Sequence, residues 1–349
     1  MTEDIFLKED IESVLGSSGL PWNSLKNKTI VVTGATGFIG SLICRTLMEA
    51  SVKNDLDIHV VALVRDIDKA ERIYGKDCQI SFCVQDICEP IQISEAVDYI
   101  IHCASVTSSA TMVNDPAGTI AVAINGTRNT LELAKDKTVE AYLYLSSMEV
   151  YGSFDNMDRD VNESDMGYVD PLAVRSNYPL SKRLCENMCI AYMREYNVPV
   201  KIARLAQTFG PGILPGENRV FAQFARNVIQ GTDIVLHTKG LSEGNYCYSA
   251  DALTGIFTIL LKGETGEAYN VSNPDAHTTI AGMAEMVCDK IADNKIKVVY
   301  DIPKDNIYGY AADTKMRLSA DKLMRLGWKP LTGLEQAFRR LIGSMSIDK

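Results

Sequence analysis

The sequence lacks several features that would place it in other classes of protein. No stretch reaches the roughly 18 consecutive apolar residues of a membrane-spanning helix, so no membrane partner is expected. The first residues, Met1-Thr2-Glu3-Asp4, lack the basic-then-apolar pattern of a secretory signal, so we expect a cytoplasmic protein. The sequence also contains fewer basic than acidic residues: 35 Lys and Arg against 45 Asp and Glu, which gives a net charge of −10. This balance argues against nucleic acid as a partner.

The sequence also lacks the spacing of cysteine and histidine that is typical of a metal site. It contains nine cysteines and four histidines. Cys78, Cys83 and Cys88 are evenly spaced, but their spacing fits no zinc pattern and histidine partners are absent. An odd number of cysteines, mostly within apolar segments, predicts reduced thiols in the core and no bound metal.

What the sequence does contain is a regular alternation of apolar strands and amphipathic helices. The predicted strands cover residues 29–33, 59–64, 79–84, 98–103, 141–146, 200–205 and 268–272. The predicted helices cover about residues 37–50, 116–135, 178–195, 217–230, 250–262, 279–291 and 331–345. Such alternation predicts an α/β fold with a Rossmann-type, doubly wound parallel sheet and a ligand at the carboxyl ends of the strands.

The pattern divides the chain into three parts. Residues 1–28 are predicted to be an appendage, with a short helix, that packs on the core. Residues 29–205, with residues 245–272 returning to them, are predicted to form a dinucleotide-binding domain. Glycine and proline then mark a loop-rich region, so residues 206–244 and 273–349 are assigned to a smaller C-terminal α/β lobe that binds substrate.

The first predicted strand runs through a glycine turn, T-G-A-T-G-F-I-G over Thr33–Gly40, into a helix. Strand, glycine turn and helix together predict dinucleotide binding. Gly34 permits the tight turn, Gly37 lets backbone approach a pyrophosphate, and Gly40 lets the helix pack on the strand. The helix N-terminus then offers N–H groups and the positive end of its dipole to the phosphates. The cofactor-binding residues predicted from this segment are Gly34, Thr36, Gly37, Phe38, Ile39 and Gly40.

The tip of the second predicted strand bears on the choice between NAD and NADP. An acidic residue there would accept hydrogen bonds from the ribose hydroxyls of NAD. Arg65 stands there instead, and a guanidinium suits the 2′-phosphate of NADP, which favours NADP. In the alternative interpretation, Arg65 is a solvated surface charge and Asp66 binds the ribose.

The ends of the next two predicted strands also face the expected cofactor. Asp86 and Ile87, after the third strand, are placed to contact the adenine edge. His102 ends the fourth strand and is predicted to have a structural role in the core. The backbone that follows would pass the nicotinamide, which adds Cys103, Ala104 and Ser105 to the predicted cofactor-binding residues.

A catalytic group is predicted around the fifth strand and the helix after it. Tyr178 and Lys182 are four residues apart and lie on one helix face. A lysine ammonium favours the phenolate, so we expect the pKa of Tyr178 to fall from about 10 toward working pH. Such a tyrosine can take a proton from a sugar hydroxyl while hydride leaves the same carbon. Ser147, at the strand end, can hydrogen-bond the same oxygen.

Together these segments resemble extended short-chain dehydrogenase/reductases, and most of all the nucleotide-sugar epimerase/dehydratase family. The resemblance runs from about Thr29 to about Ile342. It implies a tightly bound NAD(P) that oxidises a nucleotide sugar, usually at C4, and a homodimer built through helices near 116–135 and 178–195. Tyr178 matches the catalytic base of the family. Lys182 matches the lysine that lowers the pKa of this tyrosine, and the resemblance implies that both residues bind the cofactor.

The resemblance implies further roles that the residue patterns do not. It places Asn125 among the cofactor-binding residues and Glu149 among the catalytic ones. The substrate-binding residues that it implies are Thr107, Ser147, Met148, Arg175, Gln207, Arg219 and Arg317.

Two neighbouring residues bear on the second chemical step. Dehydratases and decarboxylases that resemble this chain usually carry a glutamate at Glu149, which could remove a C5 proton beside a 4-keto group. The alternative is a structural or solvated carboxylate. Met148 stands where dTDP-glucose dehydratases place an aspartate, and it cannot protonate a leaving hydroxyl. The segments Asp170–Leu172 and Arg175-Ser176 resemble the decarboxylases that make UDP-xylose.

Two departures from the family pattern bear on the substrate. The family usually has asparagine at Gln207 and a diphosphate-binding arginine at Gly244. Arg317 or Arg219 could compensate, and Arg317 is the stronger candidate because it matches a second basic position of the family. We therefore expect an NAD(P)-dependent nucleotide-sugar epimerase/dehydratase that acts through a 4-keto intermediate. The alternatives are a UDP-glucuronate decarboxylase-like enzyme and an NADPH-dependent carbonyl reductase of the same superfamily.

Overall fold

The computed structural model describes residues 4–76, 78–154, 159–303 and 315–347. Its strands are β1 Thr29–Thr33, β2 His59–Val64, β3 Ile80–Val84, β4 Tyr99–His102, β5 Ala141–Ser147, β6 Val200–Leu205, β7 Gln207–Phe209, β8 Ile234–Leu236, β9 Glu243–Gly244, β10 Tyr246–Tyr248, β11 Ala268–Val271, β12 Thr278–Thr279 and β13 Val298–Tyr300. Its α-helices are α1 Ile5–Leu15, α2 Phe38–Lys53, α3 Ile67–Tyr74, α4 Ser109–Asn114, α5 Pro116–Lys137, α6 Asn177–Tyr196, α7 Val220–Gln230, α8 Ser249–Lys262, α9 Ile280–Met286, α10 Asp321–Met324 and α11 Leu334–Ile347.

All seven predicted strands form, and they pair in parallel in the order β3-β2-β1-β4-β5-β6-β11. The direction of strand succession reverses between β1 and β4, so the crevice for a ligand lies at the carboxyl ends of these two strands. The predicted Rossmann-type parallel sheet is confirmed.

The central strands are buried because helices cover both faces of the sheet. Alternate residues of β5 enter two separate apolar layers, Leu143 on one face and Tyr142 on the other. Such burial on both sides is why these strands read as nearly continuous apolar runs in the sequence.

The C-terminal part adds three two-stranded sheets: β7 with β10, β8 with β13, and β9 with β12. These smaller sheets agree with the expected C-terminal α/β architecture, whereas the proposed domain boundaries stay a prediction. A π-helical turn, Val287–Ile291, continues α9. Helices α3, α4 and α10 were absent from the sequence prediction; each is short, and a short helix carries few periodic positions.

The N-terminal segment forms α1, which begins at a capping aspartate. The Asp4 carboxylate accepts hydrogen bonds from the backbone N–H of Phe6 and Leu7, at 3.0 and 3.2 Å. The helix then contacts α2, α8 and α11. Among the described residues, no helix has the length and apolar character needed to cross a membrane.

Candidate active site

The turn between β1 and α2 packs so tightly against neighbouring backbone that two of its glycines leave no room for a side chain. Gly34 has φ +63°, and a Cβ there would lie 2.8 Å from both Cα and N of Ala104. A Cβ on Gly40 would lie 2.3 Å from the carbonyl oxygen of Gly34. The turn therefore touches the backbone after β4 on one side and α2 on the other. This cradle fits a dinucleotide pyrophosphate at the N-terminus of α2.

The predicted cofactor-binding residues of this turn surround the start of α2. Gly37 is the N-cap of the helix, in extended backbone conformation. Thr36, Phe38 and Ile39 are half-buried around it. The first N–H groups of a 16-residue helix point from here toward the crevice, which favours an anion.

Thr33 links the ends of β1 and β4, a role that the sequence analysis missed. Its hydroxyl accepts hydrogen bonds from the backbone N–H of Cys103 and Ala104, at 3.2 and 3.1 Å. It also lies 2.7 Å from Nδ1 of His102, whose Nε2 is 3.3 Å from the Thr127 hydroxyl. Burial lowers the pKa of His102 to about 3, so the ring is neutral and structural. The signal available in the sequence was a hydroxyl residue at the very end of the first strand.

The two charged residues at the tip of β2 have different surroundings. Asp66 is the N-cap of α3, where its carboxylate accepts a hydrogen bond from the backbone N–H of Lys69 at 2.9 Å. Arg65 is exposed to solvent. The cap occupies one carboxylate oxygen of Asp66, which is itself exposed to solvent.

Hydrogen bonds connect the segment after β3 to α5. Asp86 is exposed and accepts a hydrogen bond from the Cys88 N–H, while Ile87 is buried. The Asn129 amide donates to the carbonyl oxygens of Ile87 and Glu89, both at 2.9 Å. Asn129 is thus a positioning residue that the sequence analysis missed.

Three other predicted cofactor or substrate residues lie around the same crevice. The half-buried Asn125 stands one turn before Asn129 on α5. Ser105 and Thr107 follow β4, the first half-buried and the second exposed. Within the described part of the chain, no hydrogen bond of these side chains defines their roles, so all three assignments stay predictions.

The structure brings four predicted residues together at the end of β5. Ser147 is the last residue of β5, and its hydroxyl accepts a hydrogen bond from the backbone N–H of Glu149 at 3.2 Å. It also lies close enough to Tyr178, in the first turn of α6, to lower the pKa of that phenol. The Arg175 guanidinium lies 3.1 Å from a carboxylate oxygen of Glu149 and 5.8 Å from the Tyr178 ring centroid. A hydroxyl, a phenol and an ion pair thus converge where β5 meets the crevice.

The expected effect of Lys182 on Tyr178 is wrong for the protein alone. Burial raises the pKa of Tyr178 to about 12, with a further increase from the Glu149 charge. These effects outweigh the influence of Ser147 and of the nearby arginines, which lower the pKa. Lys182 donates to the carbonyl oxygen of Leu145 at 2.7 Å, and its ammonium is 5.8 Å from the Tyr178 ring centroid. Burial also lowers the pKa of Lys182 to about 8.

Of the two arginines expected to compensate for Gly244, Arg219 is the one near Tyr178. It lies close enough for its charge to lower the pKa of Tyr178. The Arg219 guanidinium donates a hydrogen bond to each carboxylate oxygen of Glu217, at 3.0 and 2.6 Å. Burial alone would raise the pKa of Glu217, but Arg219 and backbone hydrogen bonds lower it. Arg317 is half-exposed, and its guanidinium lies 3.7 Å from the Asp160 carboxylate.

The two positions that depart from the family pattern, Gln207 and Gly244, lie close together in the structure. Gln207 begins β7 and pairs with Tyr246 of β10. A Cβ on Gly244 would lie 2.6 Å from Tyr246 ring atoms, so the tyrosine fills the space into which a larger side chain would project. Met148 is half-buried against the core and offers no ionisable group.

Comparisons with known proteins identify relatives of this chain. The model of the NAD dependent epimerase/dehydratase family matches residues 30–272. UDP-glucuronic acid decarboxylase 6 of Arabidopsis thaliana is 30% identical over 325 residues, which are 91% of this chain and 90% of that protein. The dTDP-D-glucose 4,6-dehydratase of Mus musculus is 24% identical over 329 residues, 90% of this chain and 88% of that protein.

Two solved structures share the fold. UDP-glucose 4-epimerase from Thermotoga maritima, with UDP-glucose, has a TM-score of 0.76 at 22% identity and covers 92% of this chain and 99% of that one. DesIV, a dTDP-glucose 4,6-dehydratase from Streptomyces venezuelae with NAD and TYD bound, has a TM-score of 0.76 at 23% identity, with 92% and 97% coverage.

Proposed function

Because the chain belongs to the NAD-dependent epimerase/dehydratase family, we propose that it oxidises a nucleotide sugar at C4 and then acts on the 4-keto sugar. The observation that carries this proposal is the convergence of Ser147, Tyr178, Glu149 and Arg175 at the end of β5, beside the glycine cradle. These residues provide a proton acceptor for the C4 hydroxyl and a second acid–base group next to it.

The first step requires Tyr178 to receive the proton of the C4 hydroxyl while Ser147 hydrogen-bonds the same oxygen. Bound NAD(P)⁺ supplies the hydride acceptor and a further positive charge at the site. Since burial raises the pKa of Tyr178 to about 12 in the protein alone, every positive charge beside it favours the reactive phenolate. Arg175 and Arg219 already act in this direction.

The second step is assigned to Glu149. A 4-keto group acidifies the C5 proton, and a carboxylate beside the sugar can remove it and return it. Arg175 pairs with this carboxylate at 3.1 Å and keeps it near Tyr178. Met148 cannot donate a proton to a leaving hydroxyl, which argues against loss of water from C6.

Exchange with solvent deuterium tests this role of Glu149. Wild-type enzyme in deuterium oxide is expected to place deuterium at C5 of the sugar, and Glu149→Gln to lose this by roughly 10²-fold or more. Mass spectrometry of the recovered sugar measures the label. Glu335→Gln, an exposed helix carboxylate, serves as the control and should label like wild type. If wild type incorporates no deuterium, an epimerase that acts by C4 hydride transfer alone becomes the better assignment.

A decarboxylase is the second candidate, favoured by the Arg175–Glu149 pair. A partly exposed guanidinium beside the acid–base residues can bind a C6 carboxylate through charge-assisted hydrogen bonds. Several of the relatives found by comparison are named UDP-glucuronic acid decarboxylases. A panel of UDP-, GDP-, CDP- and dTDP-sugars, including uronic acids, separates the candidates by product mass. Loss of carbon dioxide identifies the decarboxylase, and net consumption of NADPH on a non-nucleotide carbonyl would identify a reductase instead.

We also propose that NADP is the preferred cofactor, on the basis of Arg65. Its exposed guanidinium follows β2, and Asp66 is engaged as the cap of α3. Arg65→Ala is expected to weaken NADP binding by roughly 10- to 100-fold and NAD binding by less than about 3-fold. Titration calorimetry with both dinucleotides measures this, with Arg72→Ala, an exposed arginine of α3, as the control. Equal losses for both cofactors would remove the preference.

The homodimer is the remaining part of the proposal. Helices α5 and α6 pack against each other, and exposed apolar side chains on them include Ile120 and Leu184. Sedimentation of the purified protein tests the prediction, and a monomer at micromolar concentration would contradict it.

A further inference from the structure

Helix α1 lies outside the matched family segment, 30–272, yet it contacts the loop that leads to Arg219. We call residues 210–219 the substrate loop; it connects β7 to α7. Two features connect α1 with the first three residues of this loop: an apolar contact of Leu7, and a polar contact between α1 and Tyr248, whose ring lies against the loop.

The apolar contact is between Leu7 and Gly212. Gly212 has φ +83°, a backbone conformation that favours glycine. A Cβ on Gly212 would lie 3.7 Å from both methyl carbons of Leu7 and 3.4 Å from a methyl carbon of Leu42. The backbone of the substrate loop therefore lies against the seam between α1 and α2.

The polar contact runs through Asp10 and Tyr248. The Tyr248 hydroxyl donates to Asp10 at 2.5 Å and accepts from Nε of Arg340 at 2.8 Å. Arg340 also pairs directly with Asp10 at 2.7 Å. The Tyr248 ring lies 3.0 Å from the position of a Cβ on Gly210, at the start of the substrate loop. Asp10 is 5% exposed, and its removal would take away the acceptor of the buried Tyr248 hydroxyl, which would keep only the bond from Arg340.

We propose that α1 positions the substrate loop and so holds Arg219 at the active site, with Leu7 and Asp10 as its positioning residues. The kinetic part of this inference rests on the proposed function. Ser147 and Tyr178 are carried by β5 and α6 and not by this loop. Loosening the loop should therefore weaken binding of an anionic substrate more than it slows the chemical step.

The test compares Asp10→Ala and Leu7→Ala with the control Glu12→Ala. Glu12 is on the same helix, where it pairs with Lys53 at the surface at 3.6 Å. In both test variants, hydrogen exchange in residues 210–219 is expected to rise by roughly 10-fold while exchange in α6 stays unchanged. KM for the nucleotide sugar should rise by roughly 5-fold or more, with a smaller fall in kcat, because the Arg219 charge also favours the Tyr178 phenolate. Asp10→Asn, whose amide oxygen can still accept from Tyr248, should keep most of the loop protection.

Three results would overturn the inference. The first is unchanged exchange in the substrate loop of both variants. The second is faster exchange there with no change in KM, since the loop would then not govern substrate binding. The third is a parallel rise of exchange in α6, which would make α1 a general stabiliser. If wild type turns over no nucleotide sugar, the proposed function fails, and exchange alone decides whether α1 orders the loop.

Discussion

Replacement of Tyr178 by phenylalanine is expected to lower kcat by roughly 10²- to 10⁴-fold, since it removes the oxygen that receives the substrate proton. Dinucleotide affinity should stay within about 3-fold of wild type, because the glycine cradle of β1 and α2 holds the pyrophosphate independently of this side chain. Steady-state turnover on the nucleotide sugar identified by the product panel, together with calorimetric titration of the cofactor, measures the two effects separately.

Tyr192→Phe provides a matched control on the same helix. The Tyr192 hydroxyl donates to Glu132 at 2.5 Å on the face of α6 that meets α5, so its loss should leave kcat unchanged. Near-wild-type turnover by Tyr178→Phe would contradict the catalytic assignment. Equal losses in the two variants would point to a general effect on α6 instead.

The largest loss of stability is expected from Arg204→Met. Arg204 is 5% exposed, and its guanidinium donates to both carboxylate oxygens of Glu186, at 3.0 and 2.7 Å. It also donates to the Tyr151 hydroxyl at 3.1 Å and to the carbonyl oxygen of Glu163 at 2.7 Å. Removing the cation leaves the Glu186 carboxylate buried without its partner, which should lower the free energy of unfolding by about 3–5 kcal/mol.

Urea unfolding measures this loss, with Arg339→Met as the control. Arg339 pairs with Glu335 on the surface of α11, with both side chains more than two-fifths exposed, so its replacement should cost less than about 1 kcal/mol. A double variant, Arg204→Met with Glu186→Leu, should recover part of the loss because no buried charge is left unpaired. A loss below about 1 kcal/mol for Arg204→Met alone would show that the buried pair is not a major contributor to stability.

The Arg204 network also joins the turn that carries Glu149 to the segment that follows Arg317. Tyr151 donates to the Asn270 side chain at 2.6 Å and ends the short helical turn that carries Glu149. Asn270 in turn donates to the carbonyl oxygen of Ser319 at 2.9 Å, two residues after Arg317. Variants that weaken this network are therefore expected to disturb Glu149 as well as stability.

The departure from the family pattern at Gly244 now has a packing explanation. Tyr246 occupies the space that a side chain at this position would enter, so the missing arginine could not be restored without moving a buried ring. The positive charge of Arg219, which Glu217 holds, lies near Tyr178. A substrate phosphate that engages Arg219 must share it with this carboxylate.

The sequence by itself determined the sheet and the position of the cofactor turn. Both depend on neighbours in the chain: apolar runs such as Thr29–Thr33 form strands whose two faces are covered, and the glycines at 34, 37 and 40 set a local backbone path. The pairing of Tyr178 with Lys182 on one helix face is local as well. For such features, residue type and spacing already contain the physical constraint.

Only the tertiary structure decided the electrostatics of the site and the contacts between distant segments. The high pKa of Tyr178 follows from burial and from the charge of Glu149, neither of which spacing can reveal. The nearness of Arg219 to Tyr178, the hydroxyl of Thr33 beneath the end of β4, and the contact of α1 with the substrate loop all join residues far apart in the chain. Their interaction energies depend on distance and desolvation, which exist only once the chain has folded.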